Sequence, residues 1–151
     1  MKPQIVLVVI FVAALLVAKL VTGAWQLTFS GNLAMCCMLC FTALGHFMFA
    51  KGMTMMIPPF IPFRKAWVYI TGVAEVLMGI ALMIPSQRML AAYILILFFI
   101  LILPANIYAA IKHVNLEKGT FDGPGPGYLW YRIPEQLFFI AWVYFFSIQG
   151  F

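Results

Sequence analysis

MLAAYILILFFILILPANIYAAI, Met89 to Ile111, runs from Arg88 to Lys112 without a charged side chain. About 20 apolar residues in a helix cross the ~30 Å hydrocarbon core of a bilayer, so this stretch reads as a spanning helix. Moving outward, four more stretches share its character: Ile5 to Val21, Leu33 to Ala50, Trp67 to Ile84 and a short, aromatic-rich Pro134 to Ile148. Hydrophobic residues make up 66% of the 151-residue chain and charged ones 9%, against about 25% charged in a soluble domain. Helices are the natural spanning element because each satisfies its own backbone in lipid. The expected fold is all-α, a polytopic transmembrane helix bundle forming one domain over residues 1–151, with no internal repeat. Basic residues are scattered between apolar runs, which excludes a nucleic-acid module. Lys2 ahead of an apolar run also has the look of a secretory signal, but Thr22-Gly23-Ala24 is a poor cleavage site, and an uncleaved span is expected.

Charge sets the expected orientation. Lys2, Lys51, Arg64, Lys65, Lys112, Lys118 and Arg132 fall on one side, and only Lys19 and Arg88 on the other. Basic residues concentrate on the cytoplasmic side, so the N-terminus is expected in the cytoplasm and the C-terminus outside, in a bacterial inner membrane. IPSQR (Ile84 to Arg88) is a tight outer turn. KHVNLEKGTFDGPGPGYLWYR (Lys112 to Arg132) is a longer inner loop whose Gly-Pro alternation forbids regular helix. Its Tyr128, Trp130 and Tyr131 fit an interfacial belt. MTMMIPPFIPF (Met53 to Phe63) is too apolar for an ordinary loop and is expected to lie in the interface or dip back into the protein.

Ionisable side chains inside spans cost about 2.5–3.5 kcal/mol on insertion scales and usually face the bundle interior. His46 precedes Lys51 by five residues, or ~7.5 Å of helix, and Glu75 follows Lys65 by ten, or ~15 Å. Gly72, Gly79 and Thr71 give the Glu75 helix a small and polar face suited to close helix approach. Asn106 follows Pro104 on the fourth span, where proline leaves the Ile100 carbonyl without its donor. RIPEQ opens the fifth span, with Pro134 suited to a first helical turn, Glu135 favoured at the positive end of the dipole, and Gln136 just inside. The expected pocket gathers His46, Glu75, Asn106, Glu135, Gln136, Arg132 and Lys51. The alternative is that these groups only satisfy one another and set helix register.

CCMLC places Cys36, Cys37 and Cys40 on the second span. The Cys37–Cys40 C-x-x-C could exchange disulfides, or these thiols are small apolar filler. A lone C-x-x-C does not supply four zinc ligands. Met53, Met55 and Met56 near His46 would suit Cu(I), and His46 with His113 would be a haem pair, but no metal is expected.

Five segments together resemble a DoxX-like membrane protein: ALGHFMFAKGM, MIPPFIPF, GVAEVLMGIALMIP, LILPANIYAA and YLWYRIPEQLFFIAWVY, over Leu33 to Tyr144. The resemblance implies a four-helix core, with Ile5 to Val21 an added N-terminal transmembrane helix. It also implies links to quinone-coupled sulfur oxidation, thiol and oxidative-stress complexes or, among distant relatives, receptor assembly. His46, Lys51, Glu75, Asn106, Arg132 and Glu135 fall on the family-like motifs, and no catalytic role carries over.

Three functions follow as expectations. The first is a pocket for a lipophilic molecule with a polar head, a quinone being the cofactor that fits, in a redox or stress pathway. The second is a non-catalytic scaffold or assembly factor docking a membrane partner. The third is a lipid isomerase using Glu75 and His46 as acid and base. Expected partners are the bilayer, membrane or redox proteins, and further copies of the chain, not nucleic acid.

Overall fold

The computed structural model describes residues 3–115, 118–123 and 125–149. Helix α1 is Pro3–Thr22, α2 Leu27–Met48, α3 Ala50–Met55, α4 Arg64–Met83, α5 Arg88–Leu101, α6 Leu103–Ile111 and α7 Leu129–Val143. Among the described residues, four helical segments are long and apolar enough to cross a membrane: Pro3–Thr22, Leu27–Met48, Arg64–Met83 and Arg88–Ile111. The protein is a helical membrane bundle. The fifth expected span is helical but mixed, with 15 α-helical residues in α7 continued by a π-helical stretch, Tyr144–Gln149.

Local chemistry sets the boundaries. Gly23 takes φ +76 after α1, where its N–H bonds Lys19 O at 2.9 Å and the Lys19 ammonium returns to Gly23 O at 2.8 Å. Helix α2 starts at Leu27 rather than Leu33, which draws Ser30, Gly31 and Asn32 into the buried interior. The sequence span ending at Ala50 divides at Phe49 into α2 and α3. The chain then turns through residues 56–63, with Arg64 Nη1 on Ile57 O at 3.1 Å, and enters α4 through Phe63 at φ +56. Arg88 Nε caps the far end of α4 by donating to Leu82 O at 2.8 Å.

Pro104 breaks the span between Arg88 and Ile111 as its missing N–H requires. Ile102 lies between α5 and α6, yet Ile102 N to Phe98 O (3.0 Å) and Asn106 N to Ile102 O (3.1 Å) keep the path continuous. Pro134 differs from its expected place. Helix α7 begins at Leu129, so this proline is inside the helix rather than in its first turn, and the dipole argument for Glu135 no longer applies. The aromatic run Tyr128–Tyr131 extends the helix outward through a 3-10 turn, Pro126–Tyr128.

The core is built from Leu7 of α1, Met35, Met38 and Leu39 of α2, Leu82 of α4, Leu95 of α5 and Val143 of α7. Helix α1 is part of this packing: Phe11 meets the Trp142 ring edge-on at 5.0 Å and Phe146 at 5.2 Å. Outward-facing Val9, Leu77, Leu97 and Leu137 are exposed, a cost in water that a lipid surround removes.

Candidate functional site

Small residues bring α4 onto α2. A Cβ on Gly72 would lie 2.8 Å from His46 Cβ, and one on Gly79 would lie 3.3 Å from Cys36 Cα. Close approach of two helices needs such residues, and here it sets a histidine beside a carboxylate. His46 Nε2 is 3.4 Å from Glu75 Oε2, and the Thr42 hydroxyl donates to the same oxygen at 3.2 Å. His46 Nδ1 is 2.8 Å from Val68 O. A carbonyl only accepts, so Nδ1 carries its proton. The Thr71 hydroxyl donates to Trp67 O and Val68 O, and its oxygen stands 3.2 Å from Nδ1.

Nε2 and Oε2 therefore face each other across 3.4 Å, close enough for an imidazole and a carboxyl group to share a proton.

A second cluster joins α6, α7 and α1. Arg132 forms an ion pair with Glu135 one helical turn on, and its Nη2 donates to Asn106 Oδ1 at 3.3 Å. The Tyr131 hydroxyl donates to Glu135 Oε1 at 3.4 Å and accepts from Gln4 Nε2. Asn106, Glu135 and Gln136 are buried, and among the described residues Asn106 Nδ2, Gln136 Oε1 and Gln4 Oε1 are buried atoms with no hydrogen-bond partner. Beside this cluster a cleft of about 340 Å³ opens between α1 and α7. Val8, Trp130, Pro134 and Phe138 supply apolar lining, and Gln4, Tyr131 and Glu135 the polar part.

The expected single pocket is thus distributed. His46 and Glu75 come together between α2 and α4, while Arg132, Glu135 and Asn106 come together around α7. Gln136 is buried on α7, and Lys51 is exposed on α3 beside a different cleft. Cys36, Cys37 and Cys40 are free thiols on α2. Among the described residues, no group of three His, Cys, Asp or Glu could hold a metal ion.

Sequence reasoning missed Gln4, whose signal was a lone amide at the start of an aliphatic helix. It also missed a polar knot at the other end of the bundle. Asn32 Nδ2 donates to Thr28 O at 2.8 Å and Phe146 O at 3.1 Å, its Oδ1 accepts from Ser147, and Trp142 Nε1 donates to Gly31 O at 3.0 Å. The signal there was an asparagine and a serine bordering aromatic runs.

Residues 35–147 match the model of a domain of unknown function, DUF8561. The chain belongs to that family. This match overturns the resemblance to DoxX-like proteins: the matching family is DUF8561, not a DoxX family. The misleading motifs were Gly, Pro and aromatic residues flanking apolar runs, which any small membrane bundle needs for turns and interfaces. The DUF8561 match begins within α2 and ends within the π-helical stretch, so α1 and its Gln4 precede the matched region. No curated protein and no solved structure matches the chain.

Proposed function

We propose that this DUF8561 protein binds a lipophilic molecule with a hydroxyl-bearing head, of the quinol type, in the cleft between α1 and α7. The observation that carries the reading is the cleft's construction. Apolar Val8, Pro134 and Phe138 end on three hydrogen-bonding side chains, Gln4, Tyr131 and Glu135, and among the described residues Gln4 Oε1 is an acceptor without a donor. A small-molecule site has this composition, mostly apolar with a few placed polar groups. A donor is what the acceptors ask for: a head-group hydroxyl would answer Gln4 Oε1 once the amide turns toward it. Glu135, buried and anchored by Arg132, would accept from a second hydroxyl on the same ring. The reading is one of binding, with no reaction assigned.

The bilayer we propose is a bacterial inner membrane, with the cleft in its cytoplasmic half. The seven-to-two distribution of basic residues supports that orientation.

Trp130 lines the cleft, so its fluorescence offers a readout. The full-length protein in mild detergent is titrated with a decyl-substituted benzoquinol and with its dimethyl ether, which keeps ring and tail but has no O–H. Saturable quenching by the quinol alone, lost in Trp130→Phe and weakened about tenfold in Gln4→Ala, is the expected result. Equal quenching by the ether would overturn the reading.

A further inference from the structure

A second cleft, of about 330 Å³, lies between α3 and the start of α4. Its chemistry is the reverse of the first. Lys51 and Lys65 contribute two ammonium groups, while Met55 and Tyr69 contribute apolar surface. The ion pairs among the described residues are His46–Glu75 and Arg132–Glu135, so neither lysine is neutralised within the described structure. Thr54 also lines the cleft, but its hydroxyl already donates to Ala50 O at 2.7 Å. The two ammonium groups, with the Tyr69 hydroxyl, are left as the donors.

Lys51 is held in place by the loop that follows α6. A Cβ on Gly119 would lie 2.8 Å from Lys51 Cδ and 3.0 Å from Cγ, so the bare glycine, at φ +63, seats the aliphatic stem. The depth of the cleft is marked by its neighbours. Phe60 and Phe63, on the turn leading into α4, are 84% and 82% exposed, apolar rings that acyl chains would cover more favourably than water. From the lysines the surface passes to Tyr69, which stacks on Phe47 at 5.5 Å and 23°. Phe47 and its neighbour Met48 are exposed on the outside of α2.

The geometry points to a binding site for an anionic phospholipid. Lys51 and Lys65 hold the head-group phosphate, and one acyl chain runs along Tyr69 and Phe47. A free anion would use the two lysines but not the stacked rings. A zwitterionic head group would bring its own cation to a place already holding two. Basic pockets at the cytoplasmic ends of spanning helices recognise anionic head groups by this chemistry.

The test uses the full chain purified in mild detergent and native mass spectrometry with added phosphatidylglycerol or phosphatidylcholine. Phosphatidylglycerol should be retained preferentially. Lys51→Ala and Lys65→Ala should each weaken that retention about fivefold, the pair by more than tenfold, with phosphatidylcholine retention unchanged. Gly119→Ala, which removes no charge, should weaken it too by displacing the Lys51 stem. Lys118 is exposed on the same loop, and Lys118→Ala should leave retention intact. If Lys118→Ala weakens it as much as Lys51→Ala, the attraction belongs to the general surface charge and the assignment fails. If inorganic phosphate at millimolar concentration displaces the lipid fully, the chain contributes nothing and a lipid site is refuted.

Discussion

One face of the His46 ring meets a carbonyl that can only accept, Val68 O at 2.8 Å from Nδ1, and the other meets Glu75 Oε2 at 3.4 Å from Nε2. Facing each other within the bundle, the two groups can offset one another's polarity where either charge alone would be expensive. Both side chains are buried or nearly so, at 13% and 8% exposure, so breaking the pair leaves a polar group with no water to turn to. His46→Leu and Glu75→Leu should each cost about 2 kcal/mol, and the double substitution should cost less than their sum. A thermal-denaturation double-mutant cycle in detergent reads this coupling, and strict additivity would dissolve the pair.

Gly72 of α4 and Gly45 of α2 should respond in opposite directions to alanine. Gly72→Ala places a Cβ 2.8 Å from His46 Cβ and should destabilise by about 1–3 kcal/mol. Gly45 is also inside a helix, but its nearest neighbour would be Met53 Cε at 3.6 Å, an ordinary contact. Gly45→Ala should therefore stabilise by about 0.5–1 kcal/mol through helix propensity. Melting temperatures of the two variants, measured together, check the sign of each.

Asn32 ties α2 to the π-helical end of the chain. Its amide bonds Thr28 O and Phe146 O, and Ser147 donates to it. Asn32→Leu should cost about 1 kcal/mol, the scale of cross-helix hydrogen bonds in membranes. Faster amide exchange confined to residues 144–149 would locate the loss.

The loop between α6 and α7 carries a measurable acid–base signature. The Thr120 hydroxyl hydrogen-bonds the Asp122 carboxylate and holds it below the usual aspartate range. A lowered folded value means that the loop gains stability above the unfolded aspartate value of about 3.9 and loses it as pH falls through the lowered one. An NMR titration should show Asp122 below that reference, returning toward it in Thr120→Val.

Much of the architecture was legible because spanning helices announce themselves by length and apolarity. Met89 to Ile111 and Trp67 to Ile84 lie within or close to helical segments, and the Gly72–Gly79 face does pack on a neighbouring helix. His46 and Glu75 were each noticeable as ionisable groups in oily surroundings, and the shared small-residue face explains why they meet. What depth along a helix cannot give is rotation about its axis. His46, Asn106 and Glu135 were placed at similar depths, yet α2–α4 packing claims the first while α6 and α7 claim the others. Boundaries failed where a polar residue belonged to the bundle: Asn32 looked like the edge of a span and is buried inside α2. Gln4 was invisible because its role depends on α1 lying beside α7, a long-range contact that no local pattern encodes.

The most direct test of the proposed binding site is where a bound quinol lies. A diazirine-bearing decyl benzoquinol is photolysed on the full-length protein, and the modified peptides are mapped by mass spectrometry. Labelling should concentrate on residues 3–8 and 130–138 and fall about tenfold in Gln4→Ala. Labelling centred on His46 and Glu75, or spread evenly over the lipid-facing helices, would contradict a site between α1 and α7.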